Sequence, residues 1–159
     1  MNEQVRSNLD GKFIQLSDGF THYELKGEQS QKTVMLVHGN VAPYVTSDNT
    51  VEDLIDAGFT VLRYDLFGHG FSDRPNLDKY TRDLYDNQLV ELLAKLGISE
   101  PVFLVGTSQG GSISAYFAAK RPEKVRKLAL LSPFFDRFEG STSASLLKTR
   151  FIDSLPVKC

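Results

Sequence analysis

The sequence predicts an α/β fold built on a mainly parallel sheet, and three observations support this prediction. Segments 33–37 and 101–106 are nearly continuous apolar runs, which are typical of strands buried on both faces. Segment 81–96 carries apolar side chains at helical spacing and ends at Gly97. Strand-like and helix-like segments also alternate along the chain, as they do when helices join parallel strands.

The individual elements follow from local patterns taken in chain order. Two short, partly alternating segments flank a Ser-Asp-Gly tripeptide at 17–19, which predicts an antiparallel hairpin. Gly58 and Pro122 are the stop signals of the first and last predicted helices. After Pro133 the pattern weakens, and only a short amphipathic piece remains at 146–155. The predicted elements are a hairpin at 12–16 and 22–25, strands at 33–37, 59–64, 101–106 and 125–132, and helices at 50–57, 81–96 and 110–120.

Length and composition exclude several classes of protein. A chain of 159 residues, 41% hydrophobic and 24% charged, has the makeup of one globular domain. No apolar run approaches 18 residues, so no membrane span is expected, and the N-terminus lacks the pattern of a signal peptide. The net charge of −2 gives no general attraction to nucleic acid. The single cysteine, Cys159, predicts neither disulfides nor a cysteine zinc site, and a reducing, cytoplasmic location is expected.

The strongest functional signal is Gly106-Thr107-Ser108-Gln109-Gly110, which fits the pattern G-x-S-x-G. It lies directly after a predicted buried strand and directly before a predicted helix. A sharp strand-to-helix turn exposes the serine hydroxyl, and the flanking glycines permit close packing there. The helix N-terminus adds hydrogen-bond donors for a developing oxyanion. The pattern therefore indicates a serine nucleophile at Ser108.

Three further segments occur in a fixed order around this motif. Residues 36–40 read Leu-Val-His-Gly-Asn, residues 63–75 contain Asp-Leu-Phe-Gly-His-Gly-Phe-Ser, and residues 121–125 read Arg-Pro-Glu-Lys-Val before an apolar strand. With the serine motif, they resemble the α/β-hydrolase family over about residues 22–134. The resemblance implies an α/β-hydrolase-like, mostly parallel sheet flanked by helices, and no cofactor.

The resemblance also implies residue roles. Ser108 would be the nucleophile, and the backbone N–H groups of Gln109 and Asn40 would form the oxyanion hole. In the dehalogenase branch an Asn after His-Gly helps to bind halide, but the nucleophile there is Asp. A serine nucleophile therefore favours small ester, thioester or other acyl substrates. The residues that would shape the motifs without reacting are His38, Gly39, Gly106, Gly110, Asp65 and His69.

The acid and base of a serine triad are the weak part of the resemblance. In this family the order along the chain is Ser, then Asp or Glu, then His. The three histidines, His22, His38 and His69, all precede Ser108. We expect His22 to be an ordinary surface or strand residue. Asp136 is a candidate acid, and no cluster of residues has metal-ligand spacing. The chain is therefore expected to turn over substrate weakly or not at all, because no histidine activates Ser108.

The resemblance ends where the family's cap region would begin. Residues 1–134 are expected to form a truncated hydrolase core, and 135–159 the start of a cap or an irregular tail. Three explanations stay open: a truncated or fragmentary product, half of a split enzyme, or a stand-alone protein that binds a ligand or partner without catalysis. A strand ending the sheet, from Lys127 to Ser132, would expose an apolar edge and favour self-association or a partner chain. A nucleotide site is disfavoured because no phosphate-binding glycine motif is present.

Overall fold

The computed structural model describes residues 6, 8–28, 32–40, 48–76 and 80–134. These residues form six strands, three α-helices and one short 3-10 turn. The strands are β1 (Lys12–Leu16), β2 (Gly19–Lys26), β3 (Thr33–Val37), β4 (Thr60–Tyr64), β5 (Val102–Thr107) and β6 (Val125–Leu131). The helices are α1 (Asp48–Asp56), α2 (Arg82–Lys95) and α3 (Gln109–Lys120), and the 3-10 turn is Pro122–Lys124.

The six strands form one sheet in the order β1-β2-β4-β3-β5-β6. Strands β4, β3, β5 and β6 are parallel neighbours, whereas β2 pairs antiparallel with both β1 and β4. Parallel neighbours need long crossover connections, and the helices supply them. The mostly parallel sheet predicted from the apolar runs is thereby confirmed, as is the antiparallel hairpin.

Helices cover both faces of the sheet because the central strands are apolar on both sides. On one face, Val34, Leu36 and Val61 pack against Val51 of α1. The alternate residues of the same strands point to the opposite face, where the larger core contacts α2 and α3. That core includes Met35, Val37, Leu62, Tyr64, Leu89, Leu92, Leu104, Ile113 and Phe117.

The ends of α2 are set by a capping side chain at its start and by the expected glycine after its last turn. Thr81 caps α2, and its side-chain oxygen accepts a hydrogen bond from the Leu84 N–H at 3.2 Å. Gly97 follows the last turn of α2 with φ +70°, a conformation that glycine adopts without strain. In the part of the chain that the structure describes, no helix is long and apolar enough to cross a membrane.

Candidate active site

Ser108 occupies a strained turn between β5 and α3. Its φ is +52° and its ψ is −118°, in a region that residues with a side chain rarely adopt. Its N–H donates to Leu131 O at 2.9 Å, and its carbonyl oxygen accepts from Gly111 N at 3.0 Å and Phe134 N at 3.1 Å. The surrounding backbone therefore holds the strained conformation, and the Ser108 side chain is half-buried.

The glycines on either side of Ser108 are required by close backbone packing. A Cβ at Gly106 would overlap the carbonyl oxygen of Gly110 and the hydroxyl of Ser114. A Cβ at Gly110 would overlap the carbonyl oxygens at the end of β3, which belong to Val37 and His38. The first turn of α3 thus packs directly onto the end of the neighbouring strand, where the His-Gly segment begins.

The His-Gly segment lies against the turn that holds Ser108. A Cβ at Gly39 would be 3.1 Å from Ser108 Cβ and 3.3 Å from Thr107 O. Asn40 follows as an exposed turn residue. Gln109 is the first residue of α3, so its N–H has no acceptor within the helix. Within the described residues, the Asn40 N–H also has no backbone acceptor. In the part of the chain that the structure describes, two backbone N–H groups without a backbone acceptor therefore flank the turn that holds Ser108.

His38 is committed to holding two loops together. Its ring is buried, and Nε2 accepts a hydrogen bond from the Leu66 N–H at 2.9 Å. Because Nε2 accepts this hydrogen bond, it carries no proton. In the neutral ring the proton is therefore on Nδ1, which donates to Gly39 O at 2.7 Å. With both nitrogens engaged in this way, His38 is a shaping residue of the loop and not a free base.

His69 contacts the Asn40 side chain. Its Nε2 lies 2.7 Å from Asn40 Oδ1 and its Nδ1 lies 3.2 Å from Phe67 O. The His38 and His69 rings meet edge to face, with centroids 5.4 Å apart. The loop after β4 therefore contacts His38 through the Leu66 N–H and Asn40 through the His69 ring.

Asp65 anchors the loop after β4 from beneath. Its carboxylate accepts hydrogen bonds from the Phe71 N–H at 2.9 Å and from His22 Nδ1 at 2.9 Å. His22 Nε2 in turn lies 2.7 Å from Asp10 O. The expectation of a surface position for His22 was wrong, although it does lie on β2: its side chain is fully buried between these two acceptors. Gly70 is required here because its Cβ would overlap the Asp65 carboxylate.

Two buried residues of this loop network were missed at the sequence level. Gln88 on α2 accepts from the Phe67 N–H at 3.0 Å and donates to Thr21 Oγ1 and Asp65 O. Ser72 donates to Asp65 O at 2.6 Å and accepts from the His22 N–H at 2.9 Å. The one available signal was a glutamine on the otherwise apolar face of a predicted helix.

The structure thus brings Ser108, Gly39, Gly106 and Gly110 into contact and places Asn40 next to them. It places His22 and Asp65 together in a buried pair, and His22 lies on β2, which β4 and β3 separate from β5. In the described ranges, Ser108 makes no hydrogen bond to a histidine, and no group of three or more His, Cys, Asp or Glu residues is arranged to hold a metal ion. Asp136, and with it the segment 135–159, lies outside the described residues.

The comparison with protein families decides the identity of this arrangement. A family model described as the alpha/beta hydrolase fold matches residues 32–150, which is most of the chain. The chain belongs to the α/β-hydrolase family. The match includes the His-Gly segment, the loop after β4 and the serine turn.

Several hydrolases are similar to this α/β-hydrolase chain. The proline iminopeptidase of Thermoplasma volcanium is 28% identical over 158 residues, covering 96% of this chain and 50% of its own. A 2-hydroxy-6-oxononadienedioate/2-hydroxy-6-oxononatrienedioate hydrolase of Paraburkholderia xenovorans is 32% identical over 127 residues, covering 76% of this chain and 43% of its own.

Solved structures of α/β-hydrolases superpose on the same region. A carboxylesterase of Nitrososphaera gargenis has a TM-score of 0.74 at 27% identity, covering 80% of this chain and 47% of that one. A meta-cleavage product hydrolase of Pseudomonas fluorescens has a TM-score of 0.72 at 29% identity, covering 81% and 47%. The chain therefore spans about half the length, or less, of the relatives and structures that it matches.

Proposed function

We propose that this chain carries the nucleophile and the oxyanion hole of a serine hydrolase that acts on small ester or other acyl substrates. The observation that carries the proposal is the backbone of Ser108, a residue with a side chain held at φ +52° between a buried strand and a helix. Strain of this kind is found where a fold must present a reactive group. The hydrolase relatives support the same reaction class.

In the proposed reaction, Ser108 Oγ attacks the carbonyl carbon of the substrate. The carbonyl oxygen becomes an oxyanion and accepts hydrogen bonds from the N–H groups of Gln109 and Asn40. Collapse of this intermediate expels the alcohol or thiol and leaves an acyl group on Ser108. Water then attacks the acyl-serine, which releases the carboxylic acid and restores the hydroxyl.

The attack requires a base to take the proton from Ser108 Oγ, because a protonated hydroxyl is a weak nucleophile. His22 and His38 are buried and bonded elsewhere, and His69 faces Asn40. None of these rings is hydrogen-bonded to the nucleophile in the described part of the chain. We infer that this chain alone turns over substrate slowly, through oxyanion stabilisation and binding.

The engagement of all three histidines also supports a second candidate function. A non-catalytic binding protein built on the same fold would keep the free N–H donors of Gln109 and Asn40 as a site for a carboxylate or carbonyl oxygen. It would need no base. Ligand binding that persists in Ser108→Ala, without any acyl transfer by the wild type, is the result that distinguishes this function.

The decisive experiment compares wild type and Ser108→Ala in the hydrolysis of p-nitrophenyl acetate and butyrate. Each protein is assayed with and without added imidazole, which supplies an external general base. We expect a slow rate in the wild type that imidazole raises, and an acyl adduct on Ser108 detectable by mass spectrometry. Ser108→Ala should show only the background reaction of buffer and imidazole.

A matched control is Ser112→Ala, which removes a hydroxyl one helical turn away that donates to Phe134 O. This variant should retain the imidazole-stimulated rate. Equal rates and no adduct in wild type and Ser108→Ala, with both proteins folded, would overturn the hydrolase proposal and leave the binding function.

We also propose that the chain self-associates through β6. This strand ends the sheet in the described residues, and Leu131 is 53% exposed at its end. An open edge with exposed apolar side chains promotes pairing between chains. Sedimentation over a range of concentrations should show a dimer that Leu131→Lys weakens, whereas a monomer at every concentration would refute the proposal.

A further inference from the structure

The geometry points to His69 as the positioning residue of the second oxyanion donor, Asn40. This inference rests on the proposed function, because it assigns a role within the same oxyanion hole. Asn40 is exposed, and the N–H that is proposed to donate has no backbone acceptor in the described residues. A free N–H is useful only when its direction is fixed, so something must hold the residue in place.

The side chain of Asn40 supplies that restraint. Asn40 Oδ1 lies 2.7 Å from His69 Nε2, a short distance for a hydrogen bond between a nitrogen and an oxygen. A ring protonated on Nε2 donates to Asn40, and a doubly protonated ring donates also to Phe67 O at 3.2 Å. The amide of Asn40 is therefore tied to the loop after β4.

His38, two residues before Asn40, also bonds the loop after β4, but there the loop supplies the donor. His38, in the oxyanion segment, accepts from the Leu66 N–H, while His69, in the loop, reaches Asn40. The two rings contact each other edge to face. We call these two residues, His38 and His69, the histidine clasp. Each histidine belongs to one segment and bonds the other, so neither segment moves without breaking two hydrogen bonds.

The loop is rigid enough to act as the fixed partner. Gln88 on α2 accepts from the Phe67 N–H, and Asp65, itself paired with His22, accepts from the Phe71 N–H. The side chains of Gln88, Asp65 and His22 are buried, whereas Asn40 is exposed. Among the described residues, His69 is the side chain through which the rigidity of this buried network reaches Asn40.

The inference predicts a mobile Asn40 when the clasp is opened. In ¹⁵N-labelled wild type, the order parameter of the Asn40 N–H should be about 0.85, like those of Gly39 and Ser108. His69→Leu should lower it below about 0.6. Asn40→Ala keeps the backbone donor but removes the tether, and should have the same effect. The double variant should lower the order parameter no further than either single variant, because both changes break the same hydrogen bond.

A conservative variant and a control sharpen the test. His69→Gln retains a side-chain N–H donor and should restore much of the order at residue 40. Tyr80→Phe removes the hydrogen bond from Tyr80 Oη to Pro75 O in the same loop and should leave Asn40 ordered. A high order parameter of residue 40 in both His69→Leu and Asn40→Ala would overturn the inference. If His69→Leu does not fold, the order parameter in Asn40→Ala decides by itself.

Kinetics separate this inference from the proposed function. If hydrolysis depends on Ser108, His69→Leu should lower the imidazole-stimulated kcat roughly tenfold with little change in KM, because a misplaced donor weakens only transition-state binding. An unchanged kcat would refute the positioning role. If no hydrolysis depends on Ser108, the proposed function fails, while the order parameters still decide whether His69 holds Asn40.

Discussion

At the scale of single residues, two serines of the described chain, Ser108 and Ser132, have a positive φ, and Ser108 lies at the turn between β5 and α3. The φ of Ser108 is +52°, and hydrogen bonds to both its N–H and its carbonyl oxygen hold it there. Gly106 and Gly110 do not have a positive φ. Glycine is needed there because a side chain would not fit: a Cβ at Gly110 would overlap backbone oxygens at the end of β3. Conformation at Ser108 and close packing at Gly110 are therefore separate requirements of the same turn.

The strain at Ser108 predicts an inverted order of stability for two variants. Glycine adopts φ +52° freely, whereas alanine keeps the strain, so Ser108→Gly should be more stable than Ser108→Ala by about 1 kcal/mol. At Ser112, inside α3, the order should be the usual one, with alanine better by about 1 kcal/mol. Urea unfolding of the four variants measures both differences. Alanine being better at both positions would show that Ser108 is not strained.

At the scale of elements, α2 and α3 are joined by a cluster of charges. Asp86 on α2 is fully buried and bonds Lys120 at 2.9 Å and Arg121 at 3.0 Å. Asp83, one turn earlier, bonds the same Lys120 at 2.8 Å but is 66% exposed. The carboxylates beside Lys120 raise its pKa well above the ordinary value for lysine. The two aspartates share Lys120, but Asp86 is buried and also binds Arg121.

This difference predicts unequal effects of one substitution. Asp86→Asn should lower the free energy of unfolding by about 3 kcal/mol, because it leaves the Arg121 guanidinium without its buried carboxylate. Asp83→Asn should change it by less than about 0.5 kcal/mol, since an exposed pair contributes little. Thermal and urea unfolding provide the comparison. Equal losses would mean that neither the burial of Asp86 nor its pair with Arg121 decides the contribution of this cluster.

A second element-scale prediction concerns the contact between α3 and β3. Gly110→Ala should destabilise the protein by about 1–3 kcal/mol, because the new methyl group meets backbone that has no room to move. Gly97→Ala is the matched control. A Cβ at Gly97 would meet no other atom, so the only cost is the strain of a positive φ on alanine. Its loss should be about 1 kcal/mol. A larger loss at Gly97 than at Gly110 would contradict the proposed packing.

At the scale of the whole molecule, one sheet separates two apolar layers, and the polar network lies at its edge. The larger layer contains Tyr64, which is fully buried and whose hydroxyl has no partner among the described residues. Burial raises the pKa of Tyr64 well above 10.0. A buried hydroxyl without a hydrogen-bond partner lowers the free energy of unfolding at every pH. Because its pKa is raised, the free energy of unfolding also changes with pH in the alkaline range.

The raised pKa predicts how stability changes with pH. The folded state favours neutral Tyr64, so its contribution is complete below the unfolded pKa of about 10 and falls as pH rises toward the folded pKa. Tyr64→Phe should be more stable by about 1 kcal/mol at neutral pH. It should also lose less stability above pH 10. Urea unfolding at several pH values tests this, and an identical pH profile for both proteins would contradict it.

The sequence by itself determined the element order, the mostly parallel sheet and the serine turn. These features are local: apolar runs, helical spacing and glycines next to a serine report on neighbouring residues. The roles of Ser108, Gln109 and Asn40, the acid Asp136, the division at residue 134 and a cytoplasmic location stay predictions.

Only the tertiary structure decided the network around the Gly39-Asn40 segment. It showed His22 buried against Asp65, Gln88 bonded to the loop after β4, and His69 bonded to Asn40. The partners in these pairs are 43, 21 and 29 residues apart in the sequence. No local periodicity records such pairs, because they exist only where the folded sheet and α2 bring separate segments within hydrogen-bond distance.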